Sequence, residues 1–352
     1  MNTHRTLAPQ PSSILAGAFG TLDPTPVVPL AALANTLGIG SIHAKLETGR
    51  PLGSFKSLGG TFAAIAAVAR ALDLPIEAVG PSHRSAGSPP HLICASDGNH
   101  GLAVAAGARF AGVPCTVVLH SGVPDSRASR IRDAGALVRI AGGTYDDAVD
   151  LARAIAAEEG YLLIPDTSAD PADPVVADVM TGYAIITDEV RHQYARENLA
   201  PPTHVFVQAG VGGLAAAVTD GLRGWLADPA RIVIVEPEQA PCVALAMAAG
   251  RPVRAAGSLE TSADMLSCGE ASAPALKTLR AYGAACMTVS ESDLATSVKL
   301  LERHFDILTT SSGAAGLAAL SAAAADPLHL RDLGLSAESR VLLLVTEARP
   351  PA

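Results

Sequence analysis

Short apolar runs alternate with longer stretches of helical spacing along this chain. Residues 92–95, 115–119, 137–140 and 162–164 read as strands, and residues 101–111, 125–134 and 145–159 as the helices between them. A second set follows, with strands expected at 205–208, 232–235, 287–289 and 341–345 and helices between. Strands alternating with helices predict α/β units built on parallel sheets. The Pro-, Asp- and Ala-rich stretch 166–178 breaks the pattern and reads as a connector, and 257–270 as a second irregular stretch. No internal repeat of solenoid length is present.

Composition narrows the picture. A chain of 352 residues is long enough for two domains and a sizeable core. It is 49% hydrophobic with a mean hydropathy of +0.31, much of it alanine on helices, as in residues 62–69. No uninterrupted apolar run reaches the roughly 18 residues of a membrane span, and the N-terminus lacks an apolar signal core, so a cytoplasmic enzyme is expected. A net charge of -9 argues against a nucleic-acid partner. Arg127, Arg130 and Arg132 read as a solvated helix face. The five cysteines show no Cys-x-x-Cys spacing, so no metal site is expected. Cys94 and Cys115 fall in strand patterns and read as buried small hydrophobes.

Three motifs carry chemistry. Gly53-Ser54-Phe55-Lys56-Ser57-Leu58-Gly59-Gly60 sets one lysine in an apolar, glycine-flanked turn. Poor solvation there favours the neutral amine, which can attack a carbonyl such as the aldehyde of pyridoxal phosphate. Ser96-Asp97-Gly98-Asn99-His100-Gly101 and Gly210-Val211-Gly212-Gly213 each join a strand to a helix start, where N–H groups and the helix dipole favour an anion. The first loop suits a carboxylate and the second a phosphate. Alone, Gly-Val-Gly-Gly is weak; it lacks Gly-x-Gly-x-x-Gly spacing, since Ala215 stands where the third glycine would be. The lysine, asparagine loop and glycine loop in that order are strong. Both loops end strands, where ligands of open α/β sheets bind.

With these motifs the chain resembles the fold-type II pyridoxal phosphate enzymes, the tryptophan synthase β-subunit group, and within it the diaminopropionate ammonia-lyases. Asp97–Gly101, Asp166-Thr167, Gly182-Tyr183, Gln208–Gly212, Glu236–Ala240, Cys268–Glu270, Ser312–Ala314 and Thr346-Glu347 carry the likeness. The resemblance implies two open twisted sheet domains with helices on both faces and the active site in the cleft between them. A large domain of residues 1–52 and 178–352 would bind the cofactor phosphate; a small domain, 53–177, would carry the lysine and asparagine loop. Lys56 would bind the cofactor and then act as base at Cα. Ser96, Gly98, Asn99 and His100 would hold the substrate carboxylate, with His100 a packing residue and not a base. Asn99 would also fix the cofactor ring. Gly210, Val211, Gly212 and Gly213 would hold the phosphate, and Thr346 would face the pyridine nitrogen. A homodimer is implied, and a Cys242–Cys268 crosslink is left open.

Asp97 discriminates among substrates. An acid beside a carboxylate-binding loop repels the substrate unless it holds a second ammonium or serves as a second base, with Asp166 as partner. The resemblance implies both aspartates are catalytic and the small amino-acid substrate is 2,3-diaminopropionate, cleaved to pyruvate and ammonia. Asp166 also reads as a turn residue. Two features lean elsewhere: residues 46–54 look more like threonine dehydratases and cysteine synthases, and Ser311 replaces the glutamate before Ser-Gly-Ala. A serine, threonine or hydroxyaspartate dehydratase, or a β-replacement synthase, is therefore the nearest alternative. A non-catalytic cofactor binder is more distant.

Overall fold

This computed structural model describes residues 10–81, 88–96, 98–143 and 145–350. Its strands run in chain order as β1 (Val27–Pro29), β2 (Ser41–Leu46), β3 (Leu92–Ala95), β4 (Cys115–His120), β5 (Leu137–Ala141), β6 (Leu162–Leu163), β7 (His204–Gln208), β8 (Arg231–Pro237), β9 (Ala285–Val289) and β10 (Arg340–Val345). Every expected strand forms. The sequence missed β1, which is only three residues long, and β2, where Lys45 interrupts the apolar pattern although its side chain is fully buried.

The chain divides into two compact units. The smaller holds the described residues up to Asp23 together with Lys56–Pro165. Its sheet is wholly parallel, in the order β5-β4-β3-β6. The chain steps outward from β3 through β4 to β5 and then returns to the far side of β3, so the order reverses beside β3. Leu137 and Ile140 of the edge strand β5 are exposed, because an edge lacks the cover that its apolar pattern suggested.

Helices Lys56–Ala71 and Asn99–Ala111 pack tightly in this unit. Small residues allow it: a Cβ on Gly60 would lie 2.7 Å from Ala103 Cβ, and one on Gly107 would lie 2.7 Å from Ala64 Cβ. Thr61 Oγ1 donates to Ala103 O at 2.8 Å in the same seam. Gly60 facing Ala103 and Ala64 facing Gly107 means that the helices run in the same direction and in register. Their first residues, Lys56 and Asn99, therefore stand at the same end.

The larger unit holds Pro24–Phe55 and the described residues from Asp166 on. Its sheet order is β1-β2-β10-β7-β8-β9, antiparallel only between β1 and β2. Here the order reverses between β7 and β10. The core packs Phe206, Val233, Val235, Val341, Leu343 and Val345 against the helix Ser311–Ala325. The stretch 166–178 is a connector only in its first part. Helix Pro174–Arg196 begins inside it, because Asp173 caps it by accepting from Val175 N and Val176 N at 2.9 and 3.2 Å, and Pro174 suits the first turn.

Candidate active site

Lys56 is the first residue of its helix, half-buried, rather than part of a free turn. The approach to it is shaped by Leu52 at φ 65° and Gly53 at φ 81°. Phe55 N donates to Thr346 O at 3.1 Å, and Ala348 N to Gly53 O at 2.9 Å. The peptide just before Lys56 is thus held by the end of β10.

The asparagine loop follows β3, beside the strand-order reversal of its sheet, where open α/β sheets place ligands. Asp97 lies outside the described residues. Ser96 Oγ accepts from Gly98 N at 2.9 Å and Gly101 N at 2.8 Å, and Ser96 N donates to Val118 O. Ser96 therefore braces the loop from within. Gly98 has φ 149°, which a side chain would strain, and a Cβ there would lie 3.1 Å from Arg127 Cδ. Arg127 is thus half-buried against this loop, not on a solvated face. Asn99 opens the helix, half-buried. His100 is buried and its Nε2 lies 2.8 Å from Ile164 O, which fixes the ring as a packing residue.

In the larger unit the glycine loop follows β7 at that sheet's own reversal, and Thr346 follows the neighbouring β10. Each glycine has a reason. Gly212, at φ 97°, is the N-cap of helix Gly213–Leu222, which has no side-chain cap. A Cβ on Gly213 would meet only Tyr183 Cε2 at 3.8 Å, so the space above it is open. Gly210 admits no Cβ: Cys268 Sγ would be 2.9 Å away. Cys242 Sγ donates to Gly210 O at 3.3 Å. Both sulfurs lie against Gly210, and no disulfide joins Cys242 to Cys268. Cys94 and Cys115 are buried, and burial pushes the Cys115 thiol up to about 12.

Thr346 is buried, and its Oγ1 lies 3.1 Å from Gln208 Nε2, which can donate to it. The hydroxyl then keeps its own proton for another acceptor. Thr310 Oγ1 accepts from Gly313 N at 3.1 Å and donates to Glu347 Oε1 at 2.5 Å, so it links the Ser312–Ala314 and Thr346-Glu347 motifs. Ser311 begins helix Ser311–Ala325, where its Oγ accepts from Ser262 Oγ at 3.0 Å. Asp166 is half-buried at a bend in the larger unit.

Sequence reasoning gave no role to two groups near the glycine loop. Ser272 N donates to Val211 O at 2.9 Å, and the Ser272 hydroxyl is buried without a partner among the described residues. Ser-Ala-Pro reads as an ordinary helix start, which conceals it. Glu236 accepts from Val243 N at 2.6 Å and Ala244 N at 2.7 Å, capping helix Cys242–Ala249. Burial pushes its carboxyl up to about 7, against the pull of those N–H groups.

The open cradle over Gly213, the uncapped helix and the partnerless Ser272 hydroxyl fit a phosphate group. Comparisons agree. Residues 19–347 match the family model described as pyridoxal-phosphate dependent enzyme. The chain is 31% identical over 339 residues to diaminopropionate ammonia-lyase of Escherichia coli K12, covering 92% of this chain and 84% of the relative. It is 27% identical over 300 residues to human L-serine dehydratase/L-threonine deaminase, covering 84% and 81%. The crystal structure of holo diaminopropionate ammonia lyase from Escherichia coli superposes with a TM-score of 0.84 at 27% identity, covering 99% of this chain and 91% of that one.

Proposed function

The chain belongs to the pyridoxal-phosphate-dependent enzymes, and we propose that within them it eliminates ammonia from 2,3-diaminopropionate, giving pyruvate and a second ammonia. Pyridoxal phosphate, when bound, supplies an electron sink for charge developing at Cα. The phosphate would rest on Gly210, Val211, Gly212 and Gly213. Thr346 would present its proton to the pyridine nitrogen, and Asn99 would fix the ring.

Lys56 would hold the cofactor aldehyde, and its amine would take the Cα proton. Ser96 and Gly98 shape the carboxylate loop, and the N–H groups of Asn99 and His100 at the helix start suit the substrate carboxylate. Asp97 and Asp166 hold the β-ammonium, which departs as ammonia. Water then converts the released enamine to pyruvate and the second ammonia. The observation that carries this reading is the acid on each of two loops of a lyase-like frame. A doubly cationic substrate gives both acids a task that serine or threonine does not. We further infer a cytoplasmic homodimer. Among the described residues no helix is long and apolar enough to cross a membrane.

The test offers the cofactor-loaded enzyme each enantiomer of 2,3-diaminopropionate beside serine, threonine and 3-hydroxyaspartate, and measures keto acid. Rapid pyruvate from diaminopropionate, reduced at least 100-fold by Asp97→Asn and abolished by Lys56→Ala, is expected. Turnover confined to a hydroxy amino acid would transfer the assignment to a dehydratase.

A further inference from the structure

Three helices begin around the glycine loop of the larger unit, and their N-termini are treated differently. Cys242–Ala249 touches the loop through Cys242 Sγ on Gly210 O, and its N-terminal N–H groups are filled by the Glu236 carboxylate. Gly213–Leu222 has no side-chain cap. Ala273–Tyr282 is tied to the loop by Ser272 N on Val211 O, and a Cβ on Gly212 would lie 3.3 Å from Ala275 Cβ. Ser272 stands at the N-cap of this third helix, yet its hydroxyl makes no capping bond. The next residue donates its N–H to Ser168 O, and Pro274 has none to give. Ser272 is fully buried and its Oγ has no partner among the described residues. A buried hydroxyl left unpaired costs free energy. One helix here carries a built-in anion, whereas the second has no side-chain cap and the third sets the buried Ser272 hydroxyl beside the same loop.

We propose that Ser272 is an additional ligand of the cofactor phosphate, its hydroxyl donating to a phosphate oxygen from outside the glycine loop. This rests on the reading of Gly210–Gly213 as the phosphate site. Ser272 would complete the cradle with a charge-assisted bond.

The experiment titrates apoenzyme with pyridoxal phosphate, following cofactor fluorescence and the phosphorus NMR shift. Ser272→Ala is expected to raise the dissociation constant about 10-fold or more and to move the phosphorus resonance. Affinity for pyridoxal, which lacks the phosphate, stays as in the wild type. Melting of the Ser272→Ala apoenzyme is expected at or above the wild-type temperature, since a partnerless hydroxyl has been removed. Unchanged cofactor affinity and phosphorus shift would overturn the proposal, as would an equal loss of pyridoxal and pyridoxal phosphate affinity. Gly213→Asp, which sets a like charge in the cradle, separates the two readings. If it abolishes cofactor binding while Ser272→Ala changes nothing, only Ser272 is misassigned. If it too leaves affinity intact, the phosphate site lies elsewhere.

Discussion

Gly107 has no room for a side chain, because a Cβ would meet Ala64 Cβ at 2.7 Å and Thr61 O at 2.8 Å. One of those neighbours is backbone and cannot swing aside. Gly107→Val should therefore destabilise the apoenzyme by about 1–3 kcal/mol, read by chemical denaturation. Glycines and the lysine were legible from sequence because their demands are local. Gly212 needs a positive φ and Gly210 a close approach, and both stand in a recognisable strand-loop-helix setting. Gly107 was not legible, since nothing in its own neighbourhood names Thr61 as the residue it must face. Ser272 was hidden for a related reason: a serine before Ala-Pro has an ordinary explanation, and only burial without a partner removes it.

At the level of elements, Glu236 links β8 to helix Cys242–Ala249 and, through Cys242, to Gly210. Its carboxyl is raised by burial to about 7 from an ordinary 4.5, with the thiols of Cys242 and Cys286 among its neighbours. The folded state thus binds a proton more tightly than the unfolded one. This contribution is fully present below about pH 4.5 and is lost as pH rises through 7. Apoenzyme stability should fall by on the order of 3 kcal/mol across that window. Glu236→Gln, which cannot titrate, should flatten the profile of stability against pH. The strands and helices themselves were largely legible, because apolar period and turn residues lie within single windows. β1 and β2 were the exceptions; in β2, a lysine in an apolar run argues against burial unless its counterion is known.

Across the whole chain, that counterion is Glu189, which lies 144 residues from Lys45, with Nζ to Oε2 at 2.6 Å. Arg50 joins the same cluster, with Nη1 2.8 Å from Glu189 Oε1 and Nε 2.6 Å from Glu47 Oε2. Burial lowers the Lys45 pKa against the pull of Glu189 and Glu47. Glu189→Ala would leave two buried cations sharing one carboxylate, and a loss of about 3–5 kcal/mol is expected in equilibrium unfolding. The cluster fastens Pro24–Phe55, the segment leading into Lys56, to helix Pro174–Arg196 within the larger unit. By itself the sequence determined the α/β class, because apolar spacing is written in consecutive residues, and its lysine, asparagine-loop and glycine-loop motifs carried the resemblance to the pyridoxal phosphate family. Only the tertiary structure decided strand order, and so that each loop falls where its sheet reverses. It alone set Lys56 and Asn99 at the same end of two parallel helices, buried Lys45 against Glu189 and left Ser272 facing the need for a partner. Those outcomes depend on pairings between distant segments, which no local pattern contains.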